Sequence, residues 1–136
     1  MKKKRNIYWA AIIRETFSKL YKDNINGAGY RVFFFLCSEA NIDTNIASVS
    51  QKRIAEVLGM NKSTVSKAIH LLLDDQYLAR TSSGFMINPN LIYAGKGYEN
   101  EREALREDFS DNLTKIGINQ KFELDEETGQ LEEPFR

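Results

Sequence analysis

Between Asn61 and His70 the chain carries Asn61, Lys62, Ser63, Thr64, Ser66, Lys67 and His70 and no acidic residue. If this stretch is helical, Val65, Ala68, Ile69, Leu72 and Leu73 form one apolar stripe at roughly 100° per residue. Ser63, Thr64, Ser66, Lys67 and His70 then share the opposite side, which stays free of acid until Asp74. Short hydroxyl side chains let such a face approach base edges in a duplex major groove and either donate or accept there. A lysine beside them reaches guanine acceptors or a phosphate. Asn61 and Lys62 would stand at the helix start, where free amides and the helix dipole favour a phosphate. Leu71 falls near the polar side and has no place in this division.

A reading face of this kind has to be held by a second helix crossing close behind it. Gln51–Leu58 suits that role, with Ser50 offering a hydroxyl as its cap and Ala55 as the small residue at the crossing. Gly59 supplies the positive φ that reverses the chain, and Val65 anchors the second helix, expected over 62–75, on the first. Gln51, Lys52 and Arg53 open the first helix, where residues commonly touch phosphate. Tyr77–Arg80 and Phe85–Ile87 read as two strands joined by Thr81-Ser82-Ser83-Gly84. Arg80, Ser82 and Ser83 would sit on that hairpin, against a neighbouring stretch of backbone. Helix, turn, helix and hairpin in this order predict a winged helix-turn-helix over residues 50–87. The expected fold class is mainly α with a small β-hairpin wing.

Around this centre the pattern is plainer. Trp9, Ile13, Phe17, Leu20 and Tyr21 fall on one helical stripe, predicting a helix over 6–22, although the aromatics and isoleucines of this stretch also suit a strand. Asn24–Gly29 is a turn or helix-start signal, Tyr30–Ala40 an apolar helix, and Ile46–Val49 a short strand. Asn88-Pro89-Asn90 ends the regular unit. Glu99–Leu113 predicts a charged helix with Leu105, Phe109 and Leu113 (or Ile116) as its apolar edge. The stretch from Phe122 to Arg136 is acidic and short of core residues, so it is expected to be loose. The division is a basic arm and N-terminal helix (1–24), a DNA-binding domain (25–97) and a charged, partly flexible extension (98–136).

Charge supports a nucleic-acid partner. The net charge of zero hides 14 Lys or Arg against 7 Asp or Glu in residues 1–97, and 5 against 12 in residues 98–136. A basic body with an acidic end is the asymmetry associated with such partners. The run Lys2–Arg5 suits the minor groove or a phosphate strand, or else a solubilising arm. One cysteine, Cys37, excludes a disulfide framework and a cysteine-based zinc site. The longest apolar run, Val32–Cys37, is far short of a membrane span, so no membrane partner is expected. With no export signal legible, the expected location is the cytoplasm. His70 is the single histidine, too few for a metal site. No phosphate-binding glycine loop is present, and the pairs Asp74-Asp75 and Glu126-Glu127 do not suggest paired catalytic carboxylates. Neither catalysis nor a cofactor is expected.

Phe17-Ser-Lys-Leu-Tyr-Lys-Asp-Asn24, Asn45-Ile46 with Val49-Ser-Gln-Lys52, Asn61-Lys-Ser-Thr-Val-Ser-Lys-Ala-Ile69, and Phe85-Met-Ile-Asn-Pro89 with a trailing Lys96-Gly97 together resemble the RepL family. These are plasmid and phage replication initiators of the low-GC Gram-positive bacteria. The resemblance spans Phe17–Gly97, and its more specific element is the Met-Ile-Asn-Pro after the hairpin. It implies a protein that starts replication from an origin of double-stranded DNA, with DNA contact on Lys62–Lys67 and the wing. It carries over no catalytic residue. Rolling-circle nickases need a metal-binding histidine cluster and a tyrosine nucleophile, and one histidine cannot form that cluster. Initiation would then proceed by binding and distorting origin DNA and recruiting host replication proteins. The turn Thr81–Gly84 lacks further basic residues, and the acidic end is not explained by the resemblance. A sequence-specific transcription regulator on the same scaffold remains open, as does an interaction module that has lost DNA binding. One reading helix spans few base pairs, so a homodimer is also open, with the aromatic N-terminal segment as its candidate interface.

Overall fold

The computed structural model describes residues 9–95 and 98–134; the Lys2–Arg5 run and the Lys96-Gly97 pair lie outside the described residues. In chain order the elements are β1 (Ala11–Ile12), α1 (Glu15–Lys22), α2 (Gly27–Glu39), β2 (Ile46–Ala47), α3 (Gln51–Leu58) and α4 (Lys62–Asp74). They continue through β3 (Leu78–Thr81), β4 (Gly84–Ile87), β5 (Ile92–Tyr93), α5 (Glu99–Lys115), β6 (Glu123–Leu124) and β7 (Leu131–Glu132). The described residues thus form five helices and small antiparallel sheets, with strand orders β1-β5, β2-β4-β3 and β6-β7. No helix among them is long and apolar enough to cross a membrane.

Helix boundaries follow local chemistry. The Asn26 side chain accepts the Gly29 amide at 2.8 Å and opens α2, and the Ser50 hydroxyl accepts the Arg53 amide at 3.1 Å and opens α3. Gly59 closes α3 in the left-handed region (φ 64°, ψ 35°), where a Cβ would be costly. Ala55 of α3 is buried, and so are Val65, Ala68, Ile69 and Leu72 along the inner side of α4. Leu71 packs over the start of α2, with its methyl near Gly29.

The three-stranded sheet separates two apolar layers, because side chains alternate across a strand. Ala47, Leu78, Phe85 and Ile87 join the helical core of α2, α3 and α4. Ile46, Ala79 and Met86 face the other way and pack with Leu105, Phe109 and Leu113 of α5. Phe109 is completely buried. Burying it and Leu113 contributes on the order of 2 kcal/mol each, enough to dock a helix whose remaining surface is mostly charged.

Two expectations are corrected. The N-terminal helix, expected over 6–22, begins only at Glu15, because β1 pairs with β5 (Ala11 opposite Tyr93, Ile12 opposite Ile92). The Ile13 amide and the Thr16 hydroxyl both donate to the Leu91 carbonyl, at 2.8 and 2.9 Å. These bonds set the rotation of α1, so Thr16 and Leu20 point inward while Trp9, Phe17 and Tyr21 face solvent. The acidic end, expected to be loose, is docked over its described part. Phe122 and Leu131 pack against the main core and Leu124 is buried. Glu126 accepts two bonds from Arg102 (3.0 and 2.9 Å) and one from Arg106 (2.7 Å), and Arg106 also donates to the Tyr93 hydroxyl at 2.8 Å. These bonds hold the Glu126 carboxyl below its usual range, the Arg102 bonds foremost.

Buried amides complete the frame. Asn88 donates to the Gln76 carbonyl at 2.7 Å and accepts from the Asn90 amide and side chain at 2.9 and 3.0 Å. Asn90 in turn accepts the Leu124 amide at 2.9 Å. Gln76, in the left-handed region at φ 57°, donates to the Asn119 carbonyl and accepts the Lys121 amide. Asn45 donates to the Ile87 and Ile92 carbonyls and accepts the Ala94 amide. Among the described residues no buried side-chain donor or acceptor lacks a partner.

Candidate nucleic-acid interface

The polar side of α4 is built by its apolar side. With Val65, Ala68, Ile69 and Leu72 locked in the core, Ser63, Lys67 and His70 come out at i, i+4 and i+7 and are all exposed. Ser66 and Thr64, on the flanks, are half-buried. Asn61 precedes the helix in an extended conformation and makes no side-chain bond to its first amides. Its side-chain oxygen instead accepts the Thr64 hydroxyl at 2.7 Å. The first-turn amides therefore stay available to an anion, flanked by exposed Lys62. His70 Nδ1 lies 2.8 Å from the Ser66 carbonyl, which fixes the ring against its own helix. Asp74 is the first acid along this face, about 16 Å from Ser63 at 1.5 Å per residue.

The remaining residues singled out from sequence lie on two other elements. Gln51, half-buried, and Lys52, exposed, form the first turn of α3, while exposed Arg53 faces Glu56 at 3.8 Å. An exposed pair at that distance contributes little, so the Arg53 guanidinium keeps most of its charge for another partner. Arg80, Ser82 and Ser83 are exposed on the β3–β4 hairpin, with the Arg80 guanidinium 5.7 Å from the Phe85 ring centre. The Thr81 hydroxyl donates to the Gly84 carbonyl at 2.9 Å and accepts the Ser83 amide at 3.3 Å. It is thus engaged within the turn, and the outward groups of the hairpin tip are the two serines. Gly84 sits at φ 152° against the backbone of Ala47 and Ser48, where a Cβ would collide with the Ala47 carbonyl oxygen.

Two features escaped the sequence reading. Arg31 of α2 donates to the Leu58 carbonyl at 3.2 Å, which places a cation on the C-terminal turn of α3 beside the Gly59 reversal. Nothing in local spacing pairs residues so far apart in the chain. The Met-Ile-Asn-Pro segment, singled out for its specificity, belongs to the frame and offers no surface: Met86, Ile87, Asn88 and Pro89 are all buried. Its asparagine serves the backbone bonds described above. Among the described residues no group of three or more His, Cys, Asp or Glu is placed to hold a metal ion.

Searches of curated proteins and of solved structures found no match to the chain. A comparison with protein families found one over residues 2–133, to the model described as Firmicute plasmid replication protein (RepL). That match takes in both the α4 face and the docked C-terminal segment, which the shorter sequence resemblance left out. With nearly the whole length matched, the chain belongs to the RepL family of Firmicute plasmid replication proteins.

Proposed function

We propose that α2, β2, α3, α4 and the β3–β4 hairpin form a winged helix-turn-helix that binds double-stranded DNA at a plasmid origin. The observation that carries this reading is the exposed, acid-free face of α4 from Ser63 to His70, held outward by a fully buried opposite face. Ser63, Thr64, Ser66 and Lys67 read base edges, with His70 at the rim of the groove. Asn61, Lys62 and the open first-turn amides of α4 grip one phosphate strand, and Gln51 and Lys52 grip another. Arg80, Ser82 and Ser83 touch neighbouring backbone. The protein starts replication by binding and distorting origin DNA and bringing host replication proteins to it, with no bond-making chemistry of its own. A single histidine in the whole chain cannot form the metal cluster a nicking initiator uses.

The test is a titration of duplex DNA from the plasmid carrying the gene against random duplex, at several salt concentrations. Preference for one plasmid segment is expected, together with a slope of log K on log salt of about −0.9 per phosphate neutralised. Equal affinity for all duplexes with a flat salt response would overturn the proposal.

A further inference from the structure

The N-terminal helix gives only one side to the core. Thr16 and Leu20 of α1 are buried, whereas Phe17 is 56% exposed and Tyr21 72%. Phe17 and Tyr21 form one row at i and i+4. Tyr30 reaches from α2 to this helix, since its hydroxyl donates to the Leu20 carbonyl at 2.8 Å, and its ring stacks at 6.3 Å on Phe34, which is 54% exposed. Phe34 therefore stands beside the C-terminal half of α1. Taking about 200 Å² per ring, these fractions leave on the order of 360 Å² of aromatic surface open. An interface is roughly 60% apolar, so this patch suits one of about 600 Å² per copy, at the low end for a specific association.

The charges beside this row name the occupant. Over β1, α1 and α2 they nearly balance, with Arg14, Lys19, Lys22 and Arg31 against Glu15, Asp23 and Glu39, so two copies meet without strong net repulsion. Lys19 is engaged with Asp23 at 2.7 Å and Arg31 with the Leu58 carbonyl. Among the described residues Glu15 and Lys22 have no ion-pair partner. They stand two turns apart along one edge of α1, and the Lys22 ammonium lies 5.9 Å from the Tyr21 ring centre. A two-fold axis crossing α1 between Ser18 and Lys19 pairs the helix antiparallel with its copy and brings like edges together. Glu15 then faces the copy's Lys22, and Lys22 the copy's Glu15, because the two positions are equally far from the axis. On the other edge Phe17 comes within one residue of the copy's Tyr21. Ser18, next to the axis, is short enough to let the helices approach, and Arg14 meets the negative C-terminal end of the copy's α1. A parallel pairing would carry the two aromatic rows to opposite edges and leave them unmatched.

We infer that α1 is a dimer interface on which a second copy of this chain docks antiparallel, with Phe17, Tyr21 and Phe34 as its apolar part and two Glu15–Lys22 pairs closing its other edge. The association needs no DNA and stands apart from the duplex reading above. Joined to that reading, it presents two α4 faces related by two-fold symmetry. Sedimentation equilibrium of the full chain without DNA is expected to show a monomer–dimer equilibrium with a micromolar Kd. Phe17→Ala and Tyr21→Ala should each raise that Kd about tenfold or more, since each change acts twice across the axis. Their circular dichroism should match the parent's, because both rings are exposed in a single copy. Glu15→Lys and Lys22→Glu should each weaken the dimer about tenfold by setting like charges opposite one another. An equimolar mixture of these two variants should recover the parent's dimerisation, because every facing pair in the mixed dimer is again opposite in charge. Loss of folding cannot produce that recovery. A parent that stays monomeric at submillimolar concentration would overturn the inference, as would ring variants that dimerise like the parent or charge variants that do not recover on mixing. A monomer that still prefers one plasmid segment would remove this interface and leave the duplex reading standing, whereas a dimer indifferent to DNA would do the reverse.

Discussion

Replacing Asn88 by alanine separates a structural role for the Met-Ile-Asn-Pro segment from a DNA-contact role. Asn88 is fully buried, and its side chain serves three groups: the Gln76 carbonyl, the Asn90 amide and the Asn90 side-chain nitrogen. All three would lose that partner in Asn88→Ala. An orphaned buried polar group costs about 1–3 kcal/mol, and three neighbours relax together, so the loss should be about 3–4 kcal/mol. That is a large share of the roughly 5–15 kcal/mol that holds a domain folded. For a chain of this size each kcal/mol moves the melting temperature by about 3–5 °C, so a fall of about 10–15 °C is expected in calorimetry or circular dichroism. Duplex affinity and its salt slope, measured well below the lowered transition, should match the parent. A melting temperature within about 3 °C of the parent would refute the reasoning, as would weaker DNA binding by a variant that melts normally.

Other perturbations test other links. Lys67→Ala should weaken duplex binding and alter site preference, while Lys52→Ala should lower affinity evenly across sequences; equal losses on specific and random DNA for Lys67→Ala would remove its base-reading role. Gly84→Ala places a Cβ against the Ala47 carbonyl at φ 152°, where only backbone movement relieves the clash. It should cost at least about 2 kcal/mol by thermal melting and expose the β2–β4 amides to hydrogen exchange. Gly59→Ala, left-handed but with open space around it, should cost only about 1 kcal/mol. Glu126→Gln should loosen the C-terminal segment by about 1 kcal/mol, an amount set by its partial exposure. Its folded carboxyl is held below the usual range by Arg102 and Arg106. The stabilisation is therefore complete above the unfolded value of about 4.3 and is lost as pH falls through the depressed folded value. A stability difference between parent and variant that persists unchanged well below pH 4 would contradict this.

The sequence by itself determined the α3–α4 pair and the hairpin after it, because those elements are specified locally. Ser50 caps, Gly59 reverses the chain, and the spacing of Val65, Ala68, Ile69 and Leu72 selects one side of a helix whatever packs against it. The polar face from Ser63 to His70 follows as the remainder. Tertiary structure decided the features whose meaning depends on distant partners. An aromatic stripe reads the same facing in or out, and only the β1–β5 ladder with the Thr16–Leu91 bond turned Trp9, Phe17 and Tyr21 to solvent. Leu105, Phe109 and Leu113 formed a legible edge on α5, but their receiving surface is the far side of the sheet, made by Ala79 and Met86. The acidic end looked unable to order because its apolar residues are few. It is ordered by Leu124, by three arginine bonds to Glu126 and by buried amides of Gln76 and Asn90, each reaching across many residues of chain. Periodicity and turn chemistry act over a few residues and so are written in the sequence, whereas which surface a side chain meets is decided only when the chain has closed on itself.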